Sequence, residues 1–266
     1  MKLAGKIAIV TGTSPNIGGG IALGLAEEGA AVVCVDVAAD NAIQCADWIT
    51  QRGGQAVGLT CDVTDEAHVQ TMVARVCDTY GRIDVLINNA GVLGGMGVLE
   101  MPLERWNRQL TVNLTGTFLC TQHVARCMVD RGTRGSIIVI GSTAGHQGQA
   151  GNIGYTTSKG GLLNFTRAAA MDLARHGIRV NSLTPTATNP EEGVERAVAW
   201  GRPEPERRAG PLDFARMIPM QKLPSPRHYA RAAVFLASDD SEMITGFDLR
   251  VDAGAVAKYW PWVPSV

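Results

Sequence analysis

The feature that most constrains this chain is an alternation: short apolar runs and stretches of helix length take turns from residue 6 to about residue 185. Residues 6–11 (KIAIVT), 31–37, 56–61, 84–88, 136–140 (SIIVI) and 178–183 read as strands. Residues 17–30, 41–52, 64–80, 102–130 and 154–176 carry apolar positions at helical spacing between them. Strands buried on both faces read as continuous apolar runs, and strand–helix alternation generates parallel crossovers. The expectation is an α/β fold, a doubly wound parallel sheet with helices on both faces. A helix over 226–237 and a strand over 247–251 complete the pattern. The alternation fails between 185 and 226, a proline-rich, charged stretch whose one helical piece is 191–200. That is too long for an ordinary connection, so residues 187–220 are expected to form a substrate lid. We expect one domain over 1–266, ending in an aromatic tail at 258–266.

The first strand runs into Gly12, Thr13, Ser14, Pro15, Asn16, Ile17 and Gly18. A glycine-rich turn between strand and helix lets backbone approach a pyrophosphate, whose charge the helix amino terminus favours. Asp36 closes the second strand, eighteen residues after Gly18, with Val37 behind it. A carboxylate there accepts hydrogen bonds from an adenosine ribose diol and repels a 2′-phosphate. No Arg or Lys lies in the loop or immediately after Asp36. The cofactor expected from these residues is NAD rather than NADP.

Tyr155 and Lys159 fall four apart on an expected helix and so share a face. A phenol is a poor base at neutral pH, and a nearby ammonium favours its phenolate. Ser142 follows the fifth strand, and Asn88, Asn89, Ala90 and Gly91 end the fourth, at the edge where open α/β sheets bind ligands.

With these motifs in order, the chain resembles the short-chain dehydrogenase/reductase family over nearly its whole length. The resemblance is carried by TGTSPNIG (11–18), CDV (61–63), NNAG (88–91), Asn113, Ser142, YTTSK (155–159) and FDLRVDAG (247–254). It implies a Rossmann-type sheet of about seven strands and hydride transfer between a nicotinamide dinucleotide and an alcohol or carbonyl. It implies Tyr155 as general acid/base, with Lys159 lowering its pKa and binding the nicotinamide ribose. Ser142 would hydrogen-bond the substrate oxygen, and Asn113 would hold a relay water between Lys159 and solvent. Asp62 and Val63 would border the adenine, and Asn89, Ala90 and Gly91 the adenosine ribose and adjoining backbone. Pro185, Thr186 and Thr188 would lie along the nicotinamide side. Gly94, His146, Gln149 and Trp200 join Ser142 as candidate substrate contacts, His146 as an orienting group rather than a second base. The family also implies a homotetramer, to which the tail would add by crossing a subunit boundary.

The chain departs from the family pattern at three places. Asn16 replaces the middle glycine of the loop, and we expect asparagine's tolerance of positive φ to preserve the turn. Thr186 follows Pro185 where glycine is usual, and Ala253 replaces the first glycine of the final DGG.

The leading reading is an NAD-dependent oxidoreductase acting on a secondary alcohol and its ketone. One alternative is an NADPH-type 3-oxoacyl (carrier protein) reductase, which Asp36 opposes. Another is a non-catalytic dinucleotide-binding protein, which has no use for the tyrosine–lysine–serine set. A net charge of −1 gives no support to nucleic-acid binding. No apolar run approaches a membrane span, we expect no signal peptide from the amino-terminal residues, and no cluster has metal-ligand spacing. The six cysteines (34, 45, 61, 77, 120, 127) contain no CxxC pair and read as reduced core thiols of a cytoplasmic protein whose partner is a small alcohol or ketone.

Overall fold

A computed structural model of the chain describes residues 1–204 and 213–258. Seven strands form one sheet: β1 (Ile7–Thr11), β2 (Ala31–Asp36), β3 (Gln55–Thr60), β4 (Val85–Asn88), β5 (Ser136–Ile140), β6 (Arg179–Pro185) and β7 (Asp248–Val251). Their spatial order is β3-β2-β1-β4-β5-β6-β7, and every pairing is parallel. The order reverses between β1 and β4, which opens a crevice at the carboxyl ends of those strands.

The helices are α1 (Ile17–Glu27), α2 (Ala39–Thr50), α3 (Glu66–Tyr80), α4 (Leu103–Leu110), α5 (Gly116–Asp130), α6 (Ile153–Leu173), α7 (Glu191–Ala199) and α8 (Pro226–Ala237). Strand residues alternate between two cores. Ala8 and Val10 join α1, α2 and α8 through Ile21, Leu25, Ile49 and Tyr229. Ile7 and Ile9 face α3, α5 and α6 through Val69, Val76, Val124 and Ala170. The period-two alternation of a strand thus gives each face of the sheet its own apolar layer. Helix ends follow local chemistry: the Asp65 carboxylate accepts from the backbone N–H groups of Ala67 and His68 at 2.9 and 3.2 Å. Ser225 and His228 form a capping box around Pro226 at the start of α8.

Two expectations change here. The helix expected over 102–130 is interrupted by a π turn at Thr111–Thr115, centred on Asn113. Such turns concentrate at functional sites. The cysteines are not all reduced either. Cys77 on α3 and Cys127 on α5 form a disulfide, while Cys34, Cys45, Cys61 and Cys120 are free and buried. The pairing depends on how α3 lies against α5, which residue spacing does not reveal. Among the described residues no helix is long and apolar enough to cross a membrane.

Candidate active site

The crevice is a cavity of about 860 Å³. Its volume suits a ligand of dinucleotide size. One end is walled by Asp36, Val37, Asp62 and Val63, the middle by Gly12, Ser14, Asn16, Ile17 and Gly18, and the other end by Ser142, Tyr155, Lys159, Pro185 and Thr186. Asn89, Ala90 and Gly91 run along it, so the expected catalytic and cofactor residues meet in one space, Asn113 and Thr188 apart.

The loop is held at both ends by contacts too tight for a side chain. Gly12 has φ 70°, and a Cβ there would lie 2.7 Å from the Ala90 Cα. A Cβ on Gly18 would lie 2.0 Å from the Gly12 carbonyl oxygen. The Thr11 hydroxyl accepts from the Asn89 and Ala90 N–H groups at 3.1 Å each. The Asn89 amide donates to the Thr11 and Gly12 carbonyls at 3.1 and 2.7 Å. Asn89 therefore fixes the loop to the end of β4 and spends its donors doing so. Among the described residues no side chain caps α1; the Gly19 N–H donates to the Ser14 carbonyl at 2.9 Å, which leaves the N–H groups of Ile17 and Gly18 for an anion. Asn16 has φ −85°, so the turn does not use asparagine's tolerance of positive φ; Gly12 supplies that conformation instead. Ala253 does occupy the left-handed region, at φ 53°. Alanine there carries a backbone strain that the family's glycine does not.

Asp36 is buried and its Oδ1 accepts from the Ala38 N–H at 3.0 Å, leaving Oδ2 for a further donor. Asp62 accepts from the backbone and hydroxyl of Thr64, which hold its carboxyl below the usual range.

At the far end, burial pushes the Tyr155 phenol above its ordinary pKa, and the facing Ser142 hydroxyl pulls it back. Lys159 is not among the groups that shift it in this arrangement; burial and Ser142 are. The Lys159 ammonium is 5.7 Å from the Tyr155 ring centre and donates to the Ile140 carbonyl at 2.7 Å. Burial alone brings the Lys159 pKa down to about 8. Ser142 also accepts from the Ala144 N–H at 3.1 Å, which sets its orientation.

The side-chain amide of Asn113 is engaged by protein groups. Both amide protons are taken, by the Val92 carbonyl and the Ser158 hydroxyl, each at 3.0 Å. Its Oδ1 accepts from the Val92 N–H at 2.7 Å, so the side chain positions the strand-end segment. Thr188 turns to the Thr186 carbonyl and the Tyr229 hydroxyl, both at 3.2 Å, and is not part of the cavity wall.

The candidate substrate contacts fare unevenly. His146 approaches Asp248 on β7 at 3.0 Å and is not part of the cavity wall. The Gly94 carbonyl accepts from Gln109, and the Gln149 carboxamide from Asn152, at 2.8 and 3.1 Å. Trp200 is buried in the core with α1, α2 and α8, away from the cavity, because α7 folds onto the cofactor half. Residue patterning missed Arg196, which reaches the backbone of the phosphate loop, and took Arg202 only as one charge of the 185–226 stretch, whereas its guanidinium meets Asn41. Neither carries a motif; each is recognisable only once α7 is folded. Residues 205–212 of the expected lid, and the expected tail apart from Lys258, lie outside the described residues.

The family profile described as enoyl-(acyl carrier protein) reductase matches residues 12–256. D-threitol dehydrogenase of Mycolicibacterium smegmatis is 36% identical over 257 residues, covering 97% of this chain and 95% of that protein. The 3-oxoacyl-[acyl-carrier-protein] reductase FabG of Thermotoga maritima is 33% identical over 263 residues, covering 96% and 100%. A short-chain type dehydrogenase/reductase from Mycobacterium marinum superposes with a TM-score of 0.84 at 34% identity, covering 97% of each chain. With that fold, that cavity and these relatives, the chain belongs to the short-chain dehydrogenase/reductase family and is an oxidoreductase.

Proposed function

We propose that the protein is an NAD-dependent dehydrogenase that transfers a hydride between a secondary alcohol and its ketone. The observation that carries this reading is the single cavity joining Asp36, at the adenosine end, to Ser142, Tyr155 and Lys159. Asp36 would accept from the ribose diol, the free N–H groups of α1 would hold the pyrophosphate, and Lys159 the nicotinamide ribose. NAD, when bound, supplies the hydride acceptor. Tyr155 takes the proton from the substrate hydroxyl in its phenolate form, which the facing Ser142 hydroxyl favours against burial, and returns it in the reverse direction. Ser142 donates to the same oxygen and stabilises its developing charge. The likeness to D-threitol dehydrogenase supports an alcohol substrate.

A second reading, a 3-oxoacyl (carrier protein) reductase using NADPH, is favoured by the FabG likeness and by Arg202. That guanidinium bonds to Asn41, which lines the cavity near Asp36, and offers a cation close to a 2′-phosphate. Titrating the protein with NADH and NADPH by fluorescence, followed by an alcohol panel, decides between them. Tighter NADH binding with alcohol oxidation supports the first reading and NADPH preference the second. NADH binding without turnover would make it a non-catalytic dinucleotide binder.

The proposed working form is a cytoplasmic homotetramer. Exposed apolar side chains on α5 and α6, among them Phe118, Val129 and Met171, support burial against other subunits. Light scattering measures the mass directly.

A further inference from the structure

Helix α7 lies outside the strand-edge loops that make up the site, yet one face of it rests on the phosphate loop. Gly193 meets Asn16, with a Cβ there 3.4 Å from the Asn16 Cα. Trp200, seven residues on, lies against Gly19, whose own Cβ would come within 3.5 Å of the indole. Between them Arg196 is 5% exposed. Its Nη1 donates to the Pro15 carbonyl and, at 3.4 Å, to the Asn16 carbonyl, while its Nε has no partner among the described residues. Glu192 is committed elsewhere, to the Ser225 hydroxyl at 2.5 Å and the Arg227 N–H at 3.1 Å. A buried guanidinium is costly unless its hydrogen bonds serve something.

The two carbonyls it holds belong to the Pro15–Asn16 and Asn16–Ile17 peptide units. In a planar trans peptide the N–H points opposite to the C=O. A cation drawing both oxygens back toward α7 therefore aims the Asn16 and Ile17 N–H groups the other way, into the cavity those residues line. It also polarises both units, which strengthens their N–H groups as donors. Its positive charge adds to that of the α1 amino terminus.

We propose that Arg196 is a positioning residue for the diphosphate of the dinucleotide, acting through the backbone of Pro15 and Asn16 from behind the loop. This rests on the dinucleotide reading given above. It makes α7 part of the cofactor site's support.

The test compares wild type, Arg196→Met and Arg196→Lys in calorimetric titrations with NADH, NADPH, ADP-ribose and adenosine. Arg196→Met is expected to weaken NADH and ADP-ribose about tenfold each. Adenosine, which lacks the diphosphate, should stay within about twofold, and the NADH-to-NADPH ratio should not move. Arg196→Lys, which keeps a charge but loses the planar fork, should recover part of the loss. Equal losses on adenosine and ADP-ribose would reduce Arg196 to a packing residue, and unchanged ADP-ribose binding would also overturn the proposal. Should the methionine variant not fold, the lysine variant carries the same comparison. Wild type that binds neither NADH nor ADP-ribose would sink the dinucleotide reading itself, an outcome separate from any difference between variants.

Discussion

Two buried cations, one in each half of the molecule, carry similar burdens in different ways. Lys159 and Arg196 are both 5% exposed, and both give hydrogen bonds to main-chain carbonyls. Lys159 donates to Ile140 at the end of β5, nineteen residues away in the chain, and stands in the cavity wall beside Tyr155. Arg196 donates to Pro15 across 181 residues and stands behind the loop that forms the wall. One cation faces the reacting end of the site directly; the other reaches it only through backbone. The strand-edge region works by local geometry that any chain of this pattern must adopt. The segment between β6 and α8 works by long-range contacts particular to this sequence.

The largest effect that tests this contrast is at the strand edge. Tyr155→Phe keeps the ring and removes the hydroxyl, so turnover should fall about a hundredfold or more while NADH affinity stays close to wild type. Steady-state kinetics with a parallel binding titration measure both. A fully active phenylalanine variant would take Tyr155 out of the chemistry. Next in size is Asp36→Ala, which removes a diol acceptor and a charge that repels a 2′-phosphate. The ratio of NAD to NADP efficiency should fall by about tenfold. A ratio that held steady would shift the choice of cofactor from Asp36 to Arg202.

These outcomes also mark what was legible in the sequence. The seven strands, the phosphate loop and the Tyr155–Lys159 pair could be read because period-two burial, tight turns and helical spacing are local rules. Asp36 could be read because β2 has to end beside the loop. Asn113 was recognised as a site residue, but its contacts were not: its amide is consumed by Val92 and Ser158, which only the π turn brings within reach. The Cys77–Cys127 pairing depends on the packing of α3 on α5 in the same way. Trp200 was placed with the substrate because an aromatic on a lid suggests a pocket. Hydrophobicity says that such a side chain is buried, but not against what.

Trp200 offers a test of smaller size. Trp200→Phe leaves a gap in the core beside α1 and α2, which should cost about 1–2 kcal/mol in stability. The Michaelis constant for the alcohol should stay within about twofold, because the side chain does not line the cavity and packs behind its phosphate loop. Denaturant unfolding and kinetics on the same preparation separate the two readouts. A large rise in the alcohol's Michaelis constant with unchanged stability would return Trp200 to the substrate pocket.

The finest test is thermodynamic and returns to the two cations. Lys159→Met should impair turnover and cofactor affinity, yet it should stabilise the ligand-free protein at neutral pH. Burial lowers the Lys159 pKa from 10.5 to about 8, so below pH 8 the fold carries a charge it disfavours. Between pH 8 and 10.5 the folded chain has released a proton that the unfolded chain still holds, so wild-type stability rises with pH across that window. Methionine removes this dependence. Its advantage, on the order of 1 kcal/mol after the lost hydrogen bond to Ile140 is allowed for, should be greatest at pH 7 and shrink toward pH 10. Arg196→Met should show no such trend, because a guanidinium stays protonated throughout that range. Melting temperatures of wild type and both variants at pH 7 and pH 10 give the answer. A Lys159→Met gap that held constant across pH would mean that the ammonium bears no burial cost, and the two cations would then differ in position alone.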